Sequence, residues 1–240
     1  MTSIQPASVP SLDPGLERRQ LLAASALFLA RPRPAVRAAQ SWESFLAEAP
    51  EQVAELAKGT TPREHDAYLY ALASLAARIE RVPGGALSAF GGLDPEVLFG
   101  MLHRGQPFFV VEWRLAPQAF LPGHCHPGAS VCTLALEGEC EIRHYEVEPG
   151  APAYDAKEQE PFRLRETRRQ LLRPGSLSTL TPQRDNLHLF RAGPKGAHGI
   201  DITTMHAGDG SFSFVELDPD APADAERGLY AARWIGKKPR

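Results

Sequence analysis

The sequence is poor in the features that would place it in several large classes. It has three cysteines in 240 residues, Cys125, Cys132 and Cys140, clustered together and with no C-x-x-C pair. A disulfide scaffold uses more cysteines spread along the chain, so free, partly buried thiols are expected. Charge of one sign is also lacking. Lys and Arg total 26 against 29 Asp and Glu, a net charge of −3 with a pI near 6.2. That excludes the basic footprint of a nucleic-acid binder, and the basic groups at Arg163–Arg173 and Lys237–Arg240 read as solvated surface. Long apolar runs are missing too. The run Leu21–Ala30 is ten residues, too short to span a bilayer as a helix, so the mature protein is expected to have no membrane segment.

The N-terminus has the parts of a targeting signal. Arg18 and Arg19 precede the short apolar run, and Val36-Arg37-Ala38-Ala39 offers small residues for cleavage. The adjacent arginines suggest the twin-arginine export route, with a periplasmic destination. The alternative is an amphipathic helix that stays attached to a cytoplasmic protein. Residues 1–39 are therefore set aside as an export signal or a disordered segment.

The chain as a whole is 43% hydrophobic, enough to bury a core. Residues 42–58 and 63–82 read as helices. Tyr68, Leu69, Leu72, Leu75 and Ile79 recur at helical spacing. Thr61 is placed to cap the second helix, with Pro62 at its first position and Glu64 three residues on. A short helix is expected over Asp94–His103, with Asp94 as its cap and Pro95 at its first position. From residue 106 the pattern becomes short β-rich runs separated by Gly and Pro: Phe108–Leu115, Ser130–Leu136, Glu139–Val147, Arg168–Leu172, Leu177–Thr181, His188–Ala192, Ile200–Thr204 and Phe212–Leu217. Leu229–Ile235 is a candidate final strand. The expected fold is mainly β: an antiparallel barrel or sandwich over 106–240, preceded by a helical extension over 40–105.

The sharpest chemical feature is Leu121-Pro122-Gly123-His124-Cys125-His126-Pro127-Gly128. On an extended chain alternate side chains share a face, so His124 and His126 point one way and Cys125 the other. Two imidazoles on one face suit a transition metal. The best third ligand is His188, delivered at the start of a strand by the turn Leu180-Thr181-Pro182 through Asn186-Leu187. His65, His103, His144 and His198 read as structural or exposed, and His206 is left open.

These segments resemble the two motifs of the cupin family, His124–Gly138 the first and Pro174–His188 the second. The resemblance implies a cupin double-stranded β-helix, or jelly-roll, barrel with N-terminal helices. Where cupins usually add a glutamate ligand after the H-x-H, this chain has Ser130 and Val131, which leaves three histidines. That pattern resembles thiol dioxygenases, and the closer likeness is to the 2-aminoethanethiol dioxygenase and plant cysteine oxidase family. His124-Cys125-His126-Pro127-Gly128, Leu136-Glu137-Gly138, Asn186-Leu187-His188 and Gly199-Ile200-Asp201-Ile202 carry it. The chain departs from the family at Ala129, where Met is usual, and at Thr203–Gly208, which lacks the family's Pro-Pro-Tyr.

The resemblance implies Fe(II) on His124, His126 and His188, a small thiol and O₂ as partners, and a sulfinic acid product. Ligand type alone equally admits Ni, Cu, Zn or Mn. Asp201 resembles an aspartate near the family's active site, where it serves a substrate amine or orients a bound ligand; a solvated strand-end carboxylate is the other reading. Asn186 orients His188 or simply forms its turn. Two other functions stay open: a cupin enzyme acting on a non-thiol ligand, and a non-catalytic metal or small-molecule binder. The sequence does not set the oligomeric state or the particular thiol.

Overall fold

Two amphipathic helices cover one side of the molecule. Helix α1 (Trp42–Val53) starts at Ser41, whose hydroxyl accepts the Ser44 N–H, and buries Trp42, Phe45, Ala49 and Val53 along one stripe. It ends at Val53, and a separate 3₁₀ turn comes after it at Leu56–Lys58, so the helix expected over 42–58 is two elements. Helix α2 (Pro62–Ala76) opens on the expected capping box: Thr61 Oγ1 accepts the Glu64 N–H at 3.3 Å and the Glu64 carboxylate accepts the Thr61 N–H at 2.9 Å. Caps of this kind stabilise a protein by about 1 kcal/mol. Its stripe is Tyr68, Leu69, Leu72, Leu75 and Ala76.

The structure is a computed structural model that describes residues 38–89, 95–152, 160–207 and 213–235. The expected export segment with Arg18 and Arg19 lies outside the described residues, as do Asp94 and Phe212. The elements belong to one compact unit, 39–240. Among the described residues no helix is long and apolar enough to cross a membrane.

The strands are β1 (Ser88–Ala89), β2 (Val97–Arg104), β3 (Phe109–Leu115), β4 (Phe120–Cys125), β5 (Ala129–Val147), β6 (Phe162–Leu172), β7 (Leu177–Leu180), β8 (Leu187–Met205), β9 (Ser213–Leu217) and β10 (Leu229–Trp234). Strand β2 replaces the short helix expected from Asp94. Its pairing with β3, from Val97↔Leu115 to Arg104↔Phe109, supplies partners that a local cap signal cannot outweigh, and Gly100 is a poor helix residue in any case.

Strands β5 and β8 organise the rest. Each is 19 residues long and bends at a glycine: Gly138 at φ 70° and Gly196 at φ 79°. A Cβ on Gly138 would lie 2.1 Å from the Gly196 carbonyl oxygen, so the two bends press together where no side chain fits. The second half of β8 pairs with β3 and with the first half of β5, which also pairs with β7. The first half of β8 pairs with β4, and the second half of β5 with β6. Strands β9 and β10 then link β4 to β6 and close a six-stranded antiparallel barrel. With its two long strands shared between both halves, this is the cupin double-stranded β-helix.

Three apolar clusters fill the layers. One lies between the helices and the sheet and joins Phe45, Tyr68 and Leu72 to Cys132, Ile200 and Ile202. The second joins both halves of the fold through Trp113, Leu115, Ala135, Ile142, Phe190 and Phe214. The third draws on all six strands of the closed barrel, with Cys125, Tyr145, Leu164, Leu189, Val215 and Tyr230. The register shifts beside Gly138 exchange the faces of β5 and β8 between their halves. Cys140 therefore faces the second cluster while Cys132 faces the helices. All three cysteines are free and buried.

Candidate metal centre

Strand β4 delivers the first histidine through an irregular stretch. Pro122 has no N–H for the ladder, and the register with β8 shifts between Leu121 and His124. The shift turns the Pro122 carbonyl onto the His124 ring, which donates Nδ1–H to it at 2.9 Å. That bond fixes the tautomer and leaves Nε2 as a lone pair. Across the ladder His124 lies opposite His188. His126 stands just past the strand end. Its Nε2 lies 3.0 Å from Nε2 of His188, which lies 3.1 Å from Nε2 of His124.

The chain thus brings together the three histidines named from the sequence, with one ligand nitrogen from each within 4.8 Å of the others. Among the described residues this is the one such group that could hold a metal. His188 is fully buried and His124 is 6% exposed. Burial drives the His124 imidazole down to about 4 and holds His126 and His188 well below the usual range, with His124 also opposing charge on both and His126 on His188. At neutral pH all three are therefore neutral ligands. Nδ1 of His188 is buried without a hydrogen-bond partner among the described residues. Three converging Nε2 atoms, neutral and aromatic-walled, fit a transition-metal ion. The wall is Phe190, 4.8 Å from the His188 ring, and Phe214, 5.8 Å from the His124 ring.

Among the described residues no carboxylate joins the ligand set. Ser130 and Val131 occupy the sequence positions where cupins usually carry one, and the Ser130 hydroxyl is engaged by His206 at 2.9 Å on the helix side.

Asp201 lies farther along β8, opposite Thr133 and Val111. Its Oδ1 accepts Thr133 Oγ1–H at 2.6 Å and Trp113 Nε1–H at 3.3 Å. Trp113 packs on Phe190 at 5.3 Å, and Phe190 lies 4.8 Å from the His188 ring, so a chain of aromatic contacts runs from the carboxylate's donor to the histidines. Burial raises the Asp201 carboxyl to about 6, against the opposing effect of its two donors.

Asn186 does not orient His188 directly. Its Oδ1 accepts the His126 N–H at 3.0 Å, and its Nδ2 donates to the His126 and Thr181 carbonyls at 3.0 and 2.9 Å. The second motif therefore grips the first. The group behind His188 is assembled by the pairing of distant strands. The His144 ring lies 5.7 Å from it and is buried. His144 donates Nδ1–H to the Asp185 carbonyl at 3.2 Å, and its Nε2 accepts from Ser178 Oγ at 2.9 Å and Arg168 Nη2 at 3.0 Å. The alternation Ile142, His144 is the one available signal, and it needs the β5–β8 register to be read. A cavity of about 620 Å³ lies behind the ligand-bearing loops, lined by Pro127, Gln183, Asp185, Asn186 and, deeper, Cys125 and Tyr145.

Known proteins resemble the chain at two levels, family and fold. The PCO_ADO family matches residues 85–204, half of the 240. No curated protein matches the sequence. Among solved structures, KdgF from Halomonas sp. is 13% identical, covering 51% of this chain and 89% of that one, with a TM-score of 0.36. A protein with a double-stranded β-helix domain from Klebsiella pneumoniae is 16% identical over 56% of this chain and 91% of its own, at a TM-score of 0.38. A cupin superfamily protein from Desulfitobacterium hafniense is 15% identical over 56% and 87%, at 0.33.

Proposed function

The chain belongs to the PCO_ADO family of cupin-fold thiol dioxygenases, and from that premise we propose that it adds both atoms of O₂ to a small thiol or a cysteine side chain. The reaction is R–SH + O₂ → R–SO₂H: the S–H and O–O bonds break, two S–O bonds and one O–H bond form, and O₂ is the four-electron oxidant of the sulfur. The observation that carries the reading is a set of three converging imidazole nitrogens, on buried His124 and His188 and half-buried His126, with no carboxylate among them. Fe(II) held by His124, His126 and His188 would supply the one-electron and O₂ chemistry.

The chain's own residues set the conditions. Neutral imidazoles cancel none of a cation's charge, so the pocket favours an anionic thiolate over a neutral thiol. Trp113, Phe190 and Phe214 keep water from the site and strengthen that preference. The Asp201 carboxyl, raised to about 6, is ionised at neutral pH yet close enough to titration to accept a proton from an arriving thiol. As a half-buried carboxylate it also favours a substrate carrying an ammonium group. The twin-arginine segment extends the proposal to export of the folded protein, which cell fractionation tests.

Iron-loaded protein incubated with cysteamine, cysteine, 3-mercaptopropionate and a peptide with N-terminal cysteine should consume O₂ and yield equal sulfinate with at least one of them. Bound iron with no uptake for any thiol contradicts the reading, and turnover of a non-thiol instead would move the protein to another cupin chemistry.

A further inference from the structure

We propose that Asp185 is a positioning residue for two of the three histidines, acting through its carboxylate; the proposal rests on the reading that those histidines hold a metal. Asp185 has a backbone φ of 57°, a left-handed conformation uncommon for any residue but glycine, although Asp and Asn tolerate it best. Such a conformation persists where the surroundings over-determine it, and here they do. The residue is 6% exposed. Its Oδ1 accepts Thr167 Oγ1–H at 2.5 Å, and its Oδ2 lies 2.9 Å from Arg184 Nη1 and 3.5 Å from Arg168 Nη2. Its carbonyl accepts from His144. Strand β6 and the loop itself thus converge on its carboxylate, and strand β5 on its carbonyl.

The residues just after Asp185 give the convergence its purpose. The next residue, Asn186, holds both backbone groups of His126. Three residues on, His188 enters β8. A shift at Asp185 would move His126 and His188 together while leaving His124, tied to Pro122 in β4, where it is. Three nitrogens that must meet within a few ångströms do not tolerate that slip. Removing the carboxylate would also leave the Arg168 and Arg184 guanidinium groups facing one another without the charge that now separates them.

The test is a Co(II) titration of the metal-stripped full-length chain, read by visible ligand-field absorption, with the thermal midpoint measured alongside. Asp185→Gly keeps the freedom to adopt positive φ and removes the carboxylate. Asp185→Asn keeps that freedom and an acceptor for Thr167 but loses the charge. Asp185→Ala loses both carboxylate and freedom. Metal affinity is expected to fall about 10- to 100-fold in the Gly and Ala variants, the range for partners that hold metal ligands in place, and severalfold in the Asn variant. Wild-type affinity in Asp185→Gly, even with a lowered thermal midpoint, overturns the proposal, because the carboxylate would then serve stability alone. If Gly and Ala do not fold, Asp185→Asn decides, and wild-type affinity there overturns it equally. A wild-type chain that takes up no Co(II) contradicts the metal-site reading itself, which separates the two failures.

Discussion

Histidines gather in two places in this chain, and they are held in different ways. On the helix side of the sheet, the His65 and His206 rings lie 4.1 Å apart. His65 donates Nε2–H to the Gly59 carbonyl at 3.0 Å, and its Nδ1 lies 2.9 Å from Gln183 Oε1. His206 donates Nδ1–H to the Ala57 carbonyl at 3.2 Å and meets Ser130 Oγ through Nε2 at 2.9 Å. Every ring nitrogen of the pair has a protein partner. In the core, His124, His126 and His188 turn their Nε2 atoms toward one another instead. Two imidazoles satisfied by the fold are packing, whereas three whose lone pairs converge leave a cation as the group that satisfies them. The lesson is that the destination of each nitrogen, and not the number of histidines, separates the two.

Replacing His188 by Ala should break the difference most. Loss of a ligand from the core group should lower metal affinity by more than about 100-fold, beyond the cost of an outer partner, while His206→Ala should leave metal stoichiometry at one. Metal analysis of the purified variants checks this, and equal loss in both would erase the distinction.

Acid should show the next largest effect. The His124 imidazole is held down to about 4 and those of His126 and His188 well below the usual range, whereas in the unfolded chain each sits near 6.5. The unfolded state therefore binds more protons as pH falls, so the stability these groups contribute is complete above about 6.5 and is lost as pH drops toward 4. Thermal midpoints of the metal-stripped protein should fall across that window. The His188→Ala variant should fall less steeply.

Asp201 carries the opposite sign. Its folded value near 6 lies above the ordinary 3.8, so its stabilising contribution is present below about 3.8 and lost as pH rises through 6. Asp201→Asn, which retains an acceptor for Thr133 and Trp113, should raise stability at pH 7 to 8 by up to about 2–3 kcal/mol and lose the gain below about pH 4. Denaturant melts at the two pH values measure it. Turnover should fall in the same variant, since the stabilised site would lack its proton acceptor.

Smaller still is the effect expected on the packing pair. His206→Ala should cost about 1–2 kcal/mol through the lost contacts with Ser130 and Ala57, visible as a lowered thermal midpoint with the Co(II) spectrum unchanged.

The two histidine groups also show how far a linear sequence reveals a folded site. His124, His126 and His188 are legible because each lies within a short segment whose Gly, Pro and Asn residues mark its backbone. The capping box at Thr61 is legible for the same local reason. The bends of β5 and β8 read as turns in the sequence, because a glycine in a bent strand and a glycine in a turn look alike until the partner strand is known. Strand β2 reads as a helix because Asp94-Pro95 imitates a helix start, while its pairing with β3 lies in distant residues. The supports of the site are hidden for the stronger reason that they come from separate strands: Thr167 and Arg168 from β6, His144 from β5 and Asp185 from the loop before β8 meet only once the register is set.

The central claim is that one metal ion is held by three imidazoles and no protein carboxylate. X-ray absorption on Fe(II)-loaded protein tests it most directly. The account predicts one metal per chain with three imidazole nitrogens around it, reduced in number or lost in His188→Ala. A sulfur from Cys125, a protein carboxylate in the ligand shell, or an unchanged spectrum in His188→Ala would contradict it.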